Sequence, residues 1–305
     1  MGAAWRTFGL VLLECRPVVL AMFALRFVAG LAIAWRAVQF VGHPVPHPVL
    51  DVPHGVLGLL AWVCATAFVY LLNGISDVPG DRVNGSSRPL ASGLLRVPVA
   101  VGWCLGFAVA AVAASVAVSP VLLLCVLGML ALGWLYSAGR RPWKERVWSA
   151  SLVIAGGGVL TYGGALATAG IPILPAALPL LQVPLLLSLW MAVAGNAKDL
   201  GDLAGDAAAG RRTLPVLYGE AHASWIVAVG CLLVALAGFA LAAFVSATTG
   251  AAASGSLTIW VSAVLLVASI LMVVLAALSG RGGAARMYGV FMVSQVVANV
   301  VVVCS

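Results

Sequence analysis

Residues 68–81 read FVYLLNGISDVPGD, an apolar run that breaks into Asn73, Asp77 and Asp81, each four residues after the last. Carboxylates are costly near a greasy segment, so this spacing asks for a reason. On a helix, Tyr70, Asn73 and Asp77 fall on one face, with the aromatic ring a turn deeper than the amide. The Pro79-Gly80 pair argues that the helix ends near Asp77 and that Asp81 comes from the turn beyond it.

Outward from this stretch the chain is overwhelmingly apolar. Of its 305 residues 63% are hydrophobic and 8% charged, with a mean hydropathy of +1.14. That composition excludes a soluble globular domain and implies an all-α, polytopic membrane bundle read as one domain over 1–305. Runs of about 20 apolar residues give nine expected spans, near 17–39, 54–74, 97–118, 120–138, 148–169, 175–197, 221–247, 256–279 and 285–304. Residues 1–16 carry charges at both ends and lack an A-x-A-like site, so they read as an amphipathic lead-in rather than a signal peptide. The six cysteines fall mostly inside apolar runs with no C-x-x-C pair, which fits buried thiols and neither a disulfide framework nor a zinc site.

The basic residues fix the expected orientation. Arg6 and Arg16 precede the first span; Arg82, Arg88 and Arg96 follow the second; Arg140, Arg141, Lys144 and Arg146 follow the fourth. Lys198, Arg211 and Arg212 follow the sixth, and Arg281 and Arg286 the eighth. Fourteen of the sixteen thus share one side, cytoplasmic by the positive-inside rule. The net charge of +7 is spread over these short loops and has its explanation in topology, so no nucleic-acid partner is expected. An alanine-rich chain with two Lys against fourteen Arg points to a GC-rich bacterial genome, and so to the bacterial inner membrane.

Five of the nine acids lie in two clusters on that same face, and acids contribute little to topology. The second cluster is NAKDLGDLAGD, residues 196–206; a shift of 125 residues places Asp77 on Asp202 and Asp81 on Asp206. The chain therefore resembles a duplicated four-helix unit, about 17–138 and 148–279, followed by a last helix at 285–304. A helix through the second cluster would align Asp199, Asp202 and Asp206 in a stripe. Stacked carboxylates repel unless neutralised, and Mg²⁺ typically joins one or two of them to a substrate phosphate. Turn-forming Asp, Asn, Gly and Pro in a polar loop is the bland alternative; two clusters at matched spacing favour the metal-phosphate site.

These residues resemble the UbiA superfamily of intramembrane prenyltransferases. Asn73-Asp77-Asp81 followed by RPLASG (88–93) looks like its first motif, and KDLGDLAGD (198–206) with Gly210 and TLPV (213–216) like its second. LYSAGRRPWKE (135–145) is similar to its aromatic-basic stretch. The resemblance implies a helical bundle around a central cavity that opens sideways to lipid and holds a polyprenyl diphosphate. By position, Asn73, Asp77 and Asp81 would bind one Mg²⁺ and Asp202 and Asp206 another, assisted by Asp199. The carboxylates and diphosphate outweigh two Mg²⁺ in charge, so further cations are expected among Lys144, Lys198, Arg88 and Arg141. The implied chemistry ionises an allylic C–O bond, in a cavity where Tyr70, Tyr136, Tyr162 and Trp190 could face the cation. One departure stands out: many members carry Asp directly after the motif Asn, where this chain has Gly74.

Three functions follow. The first is Mg²⁺-dependent transfer of a polyprenyl group to an aromatic or similar acceptor; the second is a UbiA-type terpene cyclase using the same ionisation without an acceptor. The third, a transporter with cation-binding aspartates, is opposed by the acids lying at helix ends on one face. Arg26, mid-span, is expected to face the interior, where it contacts an acidic acceptor or pairs with a helix carbonyl. Gln295 and Asn299, one turn apart, are expected to make interhelical hydrogen bonds. HPVPHPVLDVPHG (43–55), with its prolines and its place opposite the aspartates, reads as a plain extracytoplasmic loop.

Overall fold

The computed structural model describes residues 2–41, 52–83, 85–171, 178–249, 252–278 and 283–305. They are helical nearly throughout: α1 Gly2–Glu14, α2 Pro17–Val41, α3 Val52–Val83, α4 Val97–Val118, α5 Pro120–Ser137, α6 Val147–Thr168, α7 Leu178–Ala194, α8 Leu203–Ala208, α9 Leu214–Tyr218, α10 Glu220–Thr249, α11 Ala252–Ala277 and α12 Gly283–Cys304. Short 3₁₀ turns cover Trp143–Glu145 and Gly195–Gly201. The all-α expectation holds. Eight helices among the described residues are long and apolar enough to cross a membrane. The expected span at 175–197 begins in residues outside this description, and its described helix, α7, has 17 residues. The histidine-bearing loop expected over 43–55 also lies mostly outside it.

Two local expectations are corrected. Pro79 does not end its helix: α3 continues to Val83 with the proline inside. A proline removes a single ladder bond, a loss that membrane helices tolerate when neighbours satisfy the freed carbonyl. Nor does a continuous α-helix run through the second acidic cluster. The chain tightens to 3₁₀ over Gly195–Gly201, then restarts as α8 with Asp202 at its N-cap. The tighter pitch breaks the regular stripe that Asp199, Asp202 and Asp206 would otherwise form.

Helices α2, α3, α5, α6, α7 and α12 surround a central cavity, with α4 packed outside on α3 and α5, and α10 and α11 outside on α7 and α12. Close approach is made possible by small residues: a Cβ on Gly133 would strike Val69 of α3, and one on Gly158 would strike Ser188 of α7. Ser119 makes the tight turn between α4 and α5. Extended before Pro120, it accepts a hydrogen bond from the Leu122 amide at 3.1 Å and so caps α5. Buried polar side chains tie α12 to its neighbours, as expected for Gln295 and Asn299. The Tyr162 hydroxyl donates to Asn299 Oδ1 at 2.8 Å, and the Trp190 indole to Ser294 Oγ at 3.2 Å. Large side chains such as Leu105 and Val109 on α4, or Trp260 and Ile270 on α11, stay exposed, as a lipid-facing surface requires.

Candidate functional site

The first acidic cluster takes its shape from the pitch of α3. Asn73 Nδ2 donates to Asp77 Oδ2 at 2.9 Å, one turn along the helix. Asp77 Oδ1 accepts from two cations, Lys144 Nζ at 2.7 Å and Arg211 at 2.8 Å. Lys144, carried by the 3₁₀ turn after α5, also donates to Ser76 Oγ at 2.6 Å and to Asn73 Oδ1 at 3.3 Å. Burial draws its ammonium below the usual lysine range, opposed by the Asp77 carboxylate.

Arg211 joins the two clusters. Its second guanidinium nitrogen meets Asp206 Oδ1 at 3.2 Å while the first holds Asp77. The backbone aims it there: after α8, Gly210 turns through φ +68° and the Arg211 amide returns to the Asp206 carbonyl at 2.9 Å. Asp206 is 4% exposed, and its other oxygen, Oδ2, is buried with no hydrogen-bond partner. Asp199 and Lys198, on the 3₁₀ segment, also line the cavity. Burial pushes the Asp199 carboxyl up to about 6, with Asp206 and Asp202 adding to the rise against Lys198. Lys198 is held above its ordinary range, first by Tyr136 and then by Asp199.

Below this rim lies a cavity of about 180 Å³, walled by Val19, Met22, Phe23, Met129, Leu132, Ile154 and other apolar groups, with Tyr70, Tyr136 and Tyr288 among them. The rim carries Asp77, Asp199 and Asp206 against Arg16, Lys144, Lys198 and Arg211. One more cation than acid makes it receptive to an anion.

Of the residues singled out in the sequence, Asn73, Asp77, Asp199, Asp206, Lys144, Lys198, Tyr70 and Tyr136 are brought together around one space. Arg26 lines the same cavity, and the others lie elsewhere. Asp81 pairs with Arg88 at 2.8 Å, and Arg88 is shared with the fully buried Glu14 of α1. Asp202 and Arg141 are exposed. Trp190 and Tyr162 are buried behind the cavity wall in bonds to α12. Sequence reasoning missed Arg211 and Arg16 as lining residues. Arg16 sits at φ 57° between α1 and α2, a left-handed conformation that a non-glycine residue adopts only under constraint. Arg211 could have been suspected from its place directly after Gly210; Arg16 gave no such signal.

Among the described residues no three acids, histidines or cysteines converge to form a metal cage of their own. Asp206, with its unpartnered oxygen, lines the same cavity as Asp199 and Asn73, and their side chains offer only oxygen as donors to a hard cation. Such a set suits Mg²⁺ that completes its shell with phosphate oxygens.

Fold and site together define a class: a membrane-spanning helical bundle with an apolar cavity rimmed by charged side chains. The UbiA prenyltransferase family model matches residues 28–295, and the chain belongs to that family. It is accordingly an integral membrane protein. A UbiA homologue from Archaeoglobus fulgidus, solved with DMAPP and Mg²⁺, superposes with a TM-score of 0.67 at 20% identity, covering 96% of this chain and 98% of that one. An apo UbiA homologue from Aeropyrum pernix K1 gives 0.62 at 17%, covering 92% and 96%. A digeranylgeranylglyceryl phosphate synthase gives 0.61 at 18%, covering 96% and 99%. At such identities the likeness is one of fold. Among curated protein sequences none matches the chain.

Proposed function

We propose that the protein is an Mg²⁺-dependent intramembrane prenyltransferase that moves a polyprenyl group from an allylic diphosphate to an aromatic or similar acceptor. The observation that carries this is the rim itself: Asp77 and Asp206, bridged by Arg211 and flanked by Lys144 and Lys198, over an apolar cavity. The diphosphate sits at the rim and the prenyl chain in the cavity. Asn73, Asp77, Asp199 and Asp206 would hold the metal, with Asp81 and Asp202 as neighbouring acids that would strengthen the field. Bound Mg²⁺ supplies neutralisation of the leaving diphosphate. Lys144, Lys198 and Arg211 bind the remaining phosphate oxygens. The allylic C–O bond breaks with its electron pair leaving on the diphosphate. The acceptor's nucleophilic atom then bonds to the allylic carbon and loses its proton. The apolar wall excludes water, and the faces of Tyr70 and Tyr136 attract the cation meanwhile. A solved homologue bound to DMAPP and Mg²⁺ supports the reading. The basic residues gathered at this rim support a cytoplasmic orientation for it, in what we read as a bacterial inner membrane.

The aromatic lining also favours a second reading, the terpene cyclase, in which the substrate's own double bonds attack the cation. Product analysis separates the two. Purified protein is incubated with Mg²⁺ and prenyl diphosphates of graded length, with and without phenolic acceptors, beside an Asp77→Ala, Asp206→Ala variant. Prenylated acceptor that forms only with Mg²⁺ and vanishes in the variant is expected. A cyclised hydrocarbon formed without acceptor would replace transfer by cyclisation.

A further inference from the structure

Arg88 stands between two carboxylates that differ in how firmly they are held. Its Nη1 donates to Asp81 Oδ2 at 2.8 Å, while Nη2 meets Glu14 Oε1 and donates to the Glu14 carbonyl at 3.3 Å. The Glu14 side chain is wholly buried and also accepts from the Leu90 amide. The Asp81 side chain is 22% exposed. It lies one helical turn beyond Asp77, about 6 Å farther along α3.

Helix α1 is built to deliver Glu14 to this place. Val11 and Cys15 share one buried apolar cluster with Leu71 and Val78 of α3 and with Leu90 and Leu95 of the loop that follows it. The Cys15 thiol donates to the Ala67 carbonyl at 3.6 Å. The chain then turns through the left-handed Arg16 into α2.

Two carboxylates on one guanidinium leave a net charge of −1 beside the rim. Paired with Asp81 alone, Arg88 would cancel that acid, and a cation at the rim would feel little of it. Glu14 satisfies the guanidinium from the buried side instead. A buried ion gives up its counter-ion only at high cost, whereas Asp81 is open to water and to an arriving cation. A simple tie between α1 and the loop would need Glu14 and Arg88 but not Asp81.

We propose that Glu14 is a positioning residue for the reaction: it neutralises Arg88 from within the protein and so leaves the charge of Asp81 to the metal at the rim. The inference rests on the prenyl-transfer reading and adds to it a residue from α1 that touches neither metal nor substrate.

The test uses the full chain in lipid nanodiscs with inorganic diphosphate and Mn²⁺, which suits the same oxygen ligands as Mg²⁺. Bound Mn²⁺ is read by electron paramagnetic resonance, and folding by the melting temperature. Glu14→Gln keeps an acceptor for the Leu90 amide and removes the charge. It is expected to raise the Mn²⁺ concentration for half-saturation about tenfold, the scale of one charge removed near a divalent ion. Combining Glu14→Gln with Arg88→Gln removes both members of the pair and leaves Asp81 without its guanidinium. That double variant is expected to bind Mn²⁺ within about twofold of the unaltered protein, since the net charge beside the rim is again −1. A purely structural tie predicts the opposite order, with the double variant weakened at least as much as the single one. Unchanged half-saturation in Glu14→Gln, or a double variant weaker than the single, would overturn the role. The double variant is also compared directly with the unaltered protein, so a weakening of about tenfold there overturns the role even where Glu14→Gln alone fails to fold. Diphosphate release from geranyl diphosphate with Mg²⁺ is read separately in the unaltered protein. Its absence would sink the prenyl-transfer reading and the role of Glu14 with it, whereas its presence beside an unmoved half-saturation would sink the role of Glu14 alone.

Discussion

Glu14 is wholly buried, yet it is one of only nine acids in the chain. One carboxylate oxygen accepts from the Leu90 amide at 2.9 Å and the other meets Arg88, which also holds Asp81. The glycine at position 74 explains how it fits. A Cβ there would fall within the envelope of Glu14 Oε1 and against the Arg88 guanidinium. Glu14 thus brings a carboxylate from α1 to the spot where a side chain at 74 would grow. Gly74→Ala and Glu14→Ala are each expected to destabilise, the latter by about 1–3 kcal/mol because the buried Leu90 amide loses its partner. The double variant is expected to lose less than the sum, since without Glu14 the added methyl meets less resistance. Unfolding of the four proteins in detergent measures the coupling; strict additivity would mean the two positions are independent. None of this was legible beforehand, because 60 residues separate Glu14 from Gly74 and nothing in the sequence announces their contact.

At the scale of elements, apolar run length alone located all eight described helices that are long and apolar enough to cross a membrane, since a bilayer permits little else. The regular stripe in the second cluster failed because spacing arguments assume α-helical pitch, and the chain is 3₁₀ over Gly195–Gly201. Pro79 misled for a related reason: as a helix breaker it is reliable in water and less so where neighbours satisfy the freed carbonyl. The turn at Gly210 is the element whose shape matters most to the rim, because it directs Arg211 between Asp77 and Asp206. Gly210→Ala is expected to cost about 1 kcal/mol of stability, the penalty of a left-handed non-glycine residue. The same change is expected to weaken binding of a Mg²⁺–prenyl diphosphate by severalfold more than its stability cost implies. Melting curves and ligand titrations on one preparation compare the two effects.

For the whole molecule, the decisive property is a small surplus of positive charge at one mouth of an apolar cavity. Asp77 and one oxygen of Asp206 are already engaged by Lys144 and Arg211, so a divalent ion alone gains little. Mg²⁺ added by itself is therefore expected to shift the melting temperature slightly. Diphosphate-bearing substrate alone should shift it moderately, and both together more than the sum, by mass-action linkage. Chelation should abolish only the excess. Equal shifts from Mg²⁺ with or without substrate would instead mean a preformed metal cage.

The backbone adds one more consequence. Arg212 donates to the Glu145 carbonyl at 2.7 Å and accepts from the Val147 amide at 3.3 Å, a single parallel bridge between loops more than sixty residues apart. Lys144 lies two residues from Arg146 on one loop, and Arg211 is next to Arg212 on the other. That bridge imposes a rule of length. Apart from Lys144 and Arg211, side chains in these loops are free to vary through inheritance, but an inserted or deleted residue between the bridge and either cation would slide that cation off Asp77. Descendants of this chain should differ here by substitution and keep count.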